Sequence, residues 1–114
     1  MDILKLLDDN NSIKDYEVQD YRYWSDGFYY KLKIRFYDGS ELFAREYMDS
    51  QERDYSFHWQ TADMQLIMRW DNAPHHQYIS TYPHHKHTSD GIFESTEISL
   101  EDVIASIKAC AIDK

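Results

Sequence analysis

The chain has 114 residues, 42% of them hydrophobic and 29% charged, with only three Gly and two Pro. That describes one globular domain with a modest core and excludes a disordered, fibrous or two-domain chain. Its net charge of −9 counts against non-specific nucleic-acid binding, which runs on Lys and Arg neutralising phosphates.

Residues 2–9 predict a short helix, with Asp2 as cap and Ile3, Leu4, Leu6 and Leu7 as its apolar residues. The same segment is too short and too acidic for a secretory signal, and no apolar run approaches the length that spans a bilayer. Residues 16–24 (Tyr16, Val18, Tyr21, Tyr23) predict a first strand, turned by Asp26-Gly27. The next strand is the clearest. Phe28, Tyr30, Leu32, Ile34 and Phe36 alternate with Tyr29, Lys31, Lys33, Arg35 and Tyr37, which gives one apolar face and one basic, aromatic face. Asp38-Gly39 signals a hairpin returning through Leu42 to Met48. A second hairpin runs from Tyr55 to Trp70. Tyr55, Phe57 and Trp59 share one side, Thr61-Ala62-Asp63 make the turn, and Leu66, Met68 and Trp70 return opposite Ile67 and Arg69.

Periodicity stops after Trp70. Residues 71–91 hold both prolines and five of the six histidines, which predicts a loop of about twenty residues; loops of that length inside compact domains are usually functional. Ser99 then caps a C-terminal helix, with Asp102 three residues on as a capping-box acid and Leu100, Val103, Ile104, Ile107 and Ala111 on one face. The sum is an α+β fold over residues 1–114: an antiparallel β meander of about five strands packed with a short N-terminal and a longer C-terminal helix. Cys110, the single cysteine, excludes an internal disulfide, fits a cytoplasmic setting and is expected to be packed within this helix.

Charge is divided along the chain. Acids collect at the ends (Asp8, Asp9, Asp15, Glu17, Asp20; Glu94, Glu97, Glu101, Asp102), while Lys31, Lys33, Arg35, Arg45, Arg69 and Lys86 occupy the middle. Acidic flanks suit a basic partner, and they equally serve plain solubility.

The histidines fall in two phrases, Arg69-Trp70-Asp71-Asn72-Ala73-Pro74-His75-His76 and Tyr82-Pro83-His84-His85-Lys86-His87. Imidazole titrates near pH 6.5 and is the commonest metal-ligand side chain, so this density points to chemistry. Successive side chains alternate in extended chain, so His85 and His87 share a face, as do His84 and Lys86. Three readings stand. In the first, His85 and His87 reach one metal ion and Asp71 adds oxygen, although no Cys or Glu completes a familiar zinc pattern. In the second, one histidine takes the 2′-hydroxyl proton of RNA, another protonates the leaving oxygen, and Arg69 or Lys86 stabilises the phosphorane charge. The third is structural: histidines and Asn72-Ala73-Pro74 form hydrogen-bonded turns that pin the loop to the sheet. His58, alone on a strand, reads as structural. The tyrosines and cations of the 28–37 strand suit either base stacking or the margin of a sheet core.

The order of these phrases, followed by the helix start Ser99-Leu100-Glu101-Asp102-Val103 and preceded by Tyr55-Ser56-Phe57-His58-Trp59-Gln60, resembles the TumE family of prokaryotic toxin–antitoxin toxins. The likeness covers roughly residues 16–112, and Tyr82 stands where the family pattern has Phe. It implies a cytoplasmic toxin with a cognate antitoxin, expected to be a helix-turn-helix DNA-binding regulator. By analogy with other such systems it also implies action on RNA.

The expected function is thus a metal-independent ribonuclease, with RNA as a second partner, no cofactor, no membrane association, and a homodimer left open. His84, His85 and His87 are its acid–base candidates, Arg69 and Lys86 act on phosphate charge, and Asp71 orients a ring. Lys31, Lys33, Arg35, His75 and His76 are the substrate-binding candidates. The alternative is a non-catalytic metal- or partner-binding module whose histidine loop organises an interface.

Overall fold

A computed structural model describes residues 3–112. Helix α1 (Ile3–Asp8) leads into β1 (Ile13–Trp24), β2 (Gly27–Phe36), β3 (Glu41–Met48), β4 (Arg53–Gln60), β5 (Leu66–Asp71), β6 (His85–Thr88) and β7 (Gly91–Glu94). Helix α2 (Leu100–Ile112) closes the described chain. The strands form one antiparallel sheet in sequence order, a pure meander. None of the helices in the described residues is long and apolar enough to cross a membrane.

The α+β expectation holds, with seven strands where about five were expected. The two extra strands come from the end of the predicted long loop and the residues just after it, which pair into the sheet as the β6–β7 hairpin. Their sequences, His85-Lys86-His87-Thr88 and Gly91-Ile92-Phe93-Glu94, carry no apolar alternation. At this end of the sheet β6 sets its buried face against a carboxylate rather than a hydrophobic core, so the usual strand signal is absent. Only residues 72–84 remain irregular between β5 and β6.

Both helices pack on one side of the sheet. Ile3 and Leu7 of α1, and Leu100, Val103, Ile104 and Ile107 of α2, share one core with Tyr30, Leu32, Ile34, Phe36, Leu42, Ala44, Tyr55, Phe57, Trp59 and Trp70. The two-residue period of β2 thereby becomes one core face and one open face, as its alternation predicts. The capping box is present: Ser99 Oγ accepts from the Asp102 amide and Asp102 Oδ2 from the Ser99 amide, each at 3.1 Å. The Asp2 cap and the side chain of Ala111 lie outside the described residues. Cys110 is exposed rather than packed, because it falls off the stripe that Leu100, Val103, Ile104 and Ile107 turn to the sheet.

Gly39 holds a positive φ of 89° in the β2–β3 turn, a conformation that suits glycine. Gly27 is required for another reason. A Cβ there would collide with the Met48 carbonyl, because the end of β3 crosses close to the start of β2.

A one-sided core predicts unequal costs for two phenylalanines. Phe57, fully buried, should lose about 3–5 kcal/mol on truncation to Ala in urea unfolding. Phe43, on the open face, should lose less than half as much; equal losses would mean that the open face is also packed.

Candidate functional site

Register decides which side chains meet. β5 and β6 pair Arg69 with His87 and Asp71 with His85, and β4 sets Ser56 opposite Asp71 and His58 opposite Arg69. All of these lie on the face away from the helices. The irregular segment after β5 then brings His76 back against β6. Its ring centroid lies 4.9 Å from that of His85 and 5.6 Å from that of His87, edge-on to both. His85 and His87 are themselves 4.8 Å apart.

Asp71 is the hub of this cluster. It is 5% exposed, and a carboxylate so buried persists only when donors surround it. Oδ1 accepts from the Ala73 amide at 3.0 Å and lies 2.8 Å from His85 Nε2. Oδ2 accepts from Arg69 Nε at 3.1 Å and lies 3.4 Å from His87 Nε2. Asn72 fixes the strand end: its Oδ1 accepts from the Tyr55 amide at 3.0 Å and its Nδ2 donates to the Arg53 carbonyl at 2.6 Å.

Donor accounting assigns the rings. His85 Nδ1 is 2.9 Å from the Pro83 carbonyl, and Nε2 faces Asp71. Neither partner can donate, so in each hydrogen bond the ring makes with them it is the donor. At 2% exposure His85 is a fixed donor that no bulky substrate can touch. His87 differs. Burial lowers its pKa below the ordinary value, against the pull of Asp71 and with the help of the charges of His85, His76 and Arg69. It is therefore neutral near pH 7. With its proton on Nε2 toward Asp71, Nδ1 is left as a bare acceptor, the arrangement of an oriented base.

The remaining predicted residues separate. His84, next to His85 in sequence, points to the opposite side and stacks on Tyr55 at 5.8 Å. Burial pushes the Tyr55 hydroxyl up to about 12; it stays protonated and hydrogen-bonds with His84 Nδ1 at 2.8 Å. Arg53 covers the Tyr55 ring at 4.1 Å and pairs with buried Glu46 at 2.6 Å. Lys86 pairs across from Trp70 and so leaves the sheet on the side away from His85 and His87. His75 is exposed, outside the cluster. Lys33 and Arg35 are tied to acids, Lys33 to Glu41 at 3.2 Å and Arg35 to Asp15 at 2.9 Å. Lys31 has no ion pair among the described residues.

Three side chains could also hold a metal: His76, His85 and His87 offer ring nitrogens that all lie within 4.8 Å of one another. Phe43, Arg45, Ser56 and His58 share the open face, although none of them stood among the candidate site residues. The Asp38-Gly39 hairpin was the available signal, since its register places Arg45 beside Lys31 and Phe43 beside Lys33.

A family model described as Toxin TumE matches residues 3–110, nearly the whole chain. No curated protein and no solved structure matches.

His58 is lowered as well, by burial and by Arg69. Both rings should therefore titrate below about 6.5 in imidazole nuclear magnetic resonance, with His87 as the Nε2–H tautomer near neutral pH. The unfolded chain then binds protons at higher pH than the folded one. Stability from these two rings is full above about pH 6.5 and falls as pH drops toward their lowered values. Replacing both with Gln should flatten that fall; a slope unchanged by the replacement would show that neither ring is held neutral.

Proposed function

The chain belongs to the TumE toxin family, and on that premise we propose that it acts on RNA in the cytoplasm as a metal-independent ribonuclease. A toxin of this family implies a cognate antitoxin, which we take to be a helix-turn-helix DNA-binding regulator. The observation that carries the catalytic reading is the Asp71 hub, which sets one neutral imidazole beside two further imidazoles and a guanidinium.

In this mechanism His87 Nδ1 takes the 2′-hydroxyl proton, and the freed oxygen attacks the adjacent phosphorus. His76, in its protonated form, gives a proton to the departing 5′-oxygen. The products are a 2′,3′-cyclic phosphate and a 5′-hydroxyl. Arg69, partly exposed with its Nε on Asp71, turns its remaining N–H groups to the phosphorane oxygens. Asp71 and His85 are positioning residues: Asp71 fixes the His87 tautomer, and His85 holds the Asp71 carboxylate in place. His84 and Lys86, on the other side of the sheet, take no part in the step.

The second reading is a non-catalytic metal- or partner-binding module, and the three convergent imidazoles favour it. It predicts one tightly held divalent transition ion per chain, lost on His76→Ala. The ribonuclease reading predicts activity that survives chelation.

Expression of the chain without its antitoxin should arrest bacterial growth and fill the cells with RNA fragments ending in 5′-hydroxyl groups. His87→Ala and His76→Ala, at equal soluble expression, should relieve the arrest through a rate loss of about 10²–10⁴, whereas His75→Ala should not. Arrest without such fragments, or arrest undiminished in both variants, would overturn the proposal.

A further inference from the structure

Beside the histidine cluster the open face is not flat. Lys31, Phe43, Arg45, Ser56, His58 and Arg69 line a groove of about 430 Å³ across β2–β5. Pairing aligns these residues in two cross-strand rows. One runs Lys31, Arg45, Ser56, Asp71, His85, and the other Lys33, Phe43, His58, Arg69, His87. Each row therefore leads from a cation on β2, which Asp20 or Glu17 faces from β1, to a histidine of the cluster. With strands about 4.8 Å apart, the path from Lys31 to Asp71 is about 14 Å long.

The wall chemistry is that of a nucleotide. Lys31 is exposed and has no ion pair among the described residues. Arg45 reaches Asp54 only at 3.4 and 3.5 Å, with both side chains substantially exposed; such a surface pair contributes little and yields readily to a phosphate. Between the cations lie the Phe43 ring, 6.5 Å from the His58 ring, and the Ser56 hydroxyl. Lys33 lies 5.6 Å over Phe43 while paired to Glu41 and does not line the groove. Cations spaced along a path with rings between them suit a chain of alternating phosphates and bases.

Resting on the ribonuclease reading, we propose that this groove is the track that carries single-stranded RNA to His87. Phosphates sit on Lys31, Arg45 and Arg69, and an unpaired base lies over Phe43 and His58. The track thereby sets the substrate class, because the bases of a duplex are already stacked and paired and cannot enter. It also keeps Lys31 as a substrate contact and puts Arg45 in place of Lys33 and Arg35, which acids hold.

The test is fluorescence anisotropy of a mixed-sequence single-stranded RNA 12-mer on the full chain carrying His87→Ala, so that no cleavage intervenes. Binding should weaken with salt with a log–log slope near −2, as for about three phosphate contacts to a single strand. Adding Lys31→Glu and Arg45→Glu should weaken it at least tenfold and flatten the slope. The milder Lys31→Ala with Arg45→Ala guards against a folding defect. The same RNA as a duplex should bind at least tenfold more weakly. Binding unchanged in both double variants, equal binding of duplex, or preferential binding of an acidic peptide of the same length would overturn the track. Cleavage assayed in parallel on the chain with His87 intact separates the two claims. Cleavage whose KM ignores the charge reversal removes the track and leaves the ribonuclease reading. Single-strand binding lost on charge reversal, but without cleavage, keeps the track and removes the ribonuclease reading.

Discussion

Everything at the cluster depends on burying one negative charge. An isolated carboxylate inside a protein costs far more than folding can supply, so Asp71 exists only because an amide, a guanidinium and two imidazoles converge on it. The dependence is mutual. Without Asp71, His85 Nε2 would lose its partner inside a ring at 2% exposure, and leaving a buried donor unpaired costs about 1–3 kcal/mol. The same carboxylate that anchors β6 to β5 thus fixes the orientation of His85 and His87. Structure and chemistry share one group.

The meander supplies the geometry. Antiparallel neighbours bring residues i and j directly opposite, and alternation sends successive side chains to opposite faces. A tandem pair such as His84-His85 is therefore divided by construction. His85 joins the carboxylate on the open face, while His84 joins Tyr55, Arg53 and Glu46 on the helix side. The helices occupy only that side and leave the other free. Its rows of cations and rings lead to the cluster because consecutive strands are also neighbours in space.

Much of this was legible in the sequence. Alternation from Phe28 to Phe36, the Asp38-Gly39 turn and the Ser99–Asp102 box identify β2, the β2–β3 hairpin and α2 because each is a local signal read without tertiary context. The β6–β7 hairpin was hidden, since polar residues paired to a buried carboxylate look like loop. Cys110 was misplaced by a fraction of a helical turn, which separates the buried stripe from solvent. The site was legible in kind and only partly in membership. Arg69, Asp71, His85 and His87 follow from two-residue spacing. That His76 would fold back against them is a tertiary fact, set by the path of residues 72–84 and by no local pattern. Arg45 and His58 needed cross-strand register, which one strand alone does not carry.

The most direct measurement of the central claim is the single-turnover cleavage of RNA by the purified chain in excess chelator, compared with Asp71→Asn. The Asn side chain keeps the shape and removes the charge that orients the imidazoles. The account predicts full activity in chelator and a loss of about 10²–10⁴ in Asp71→Asn, with the variant still folded by circular dichroism. Cleavage abolished by chelator, or a folded Asp71→Asn that cleaves at the native rate, would contradict it.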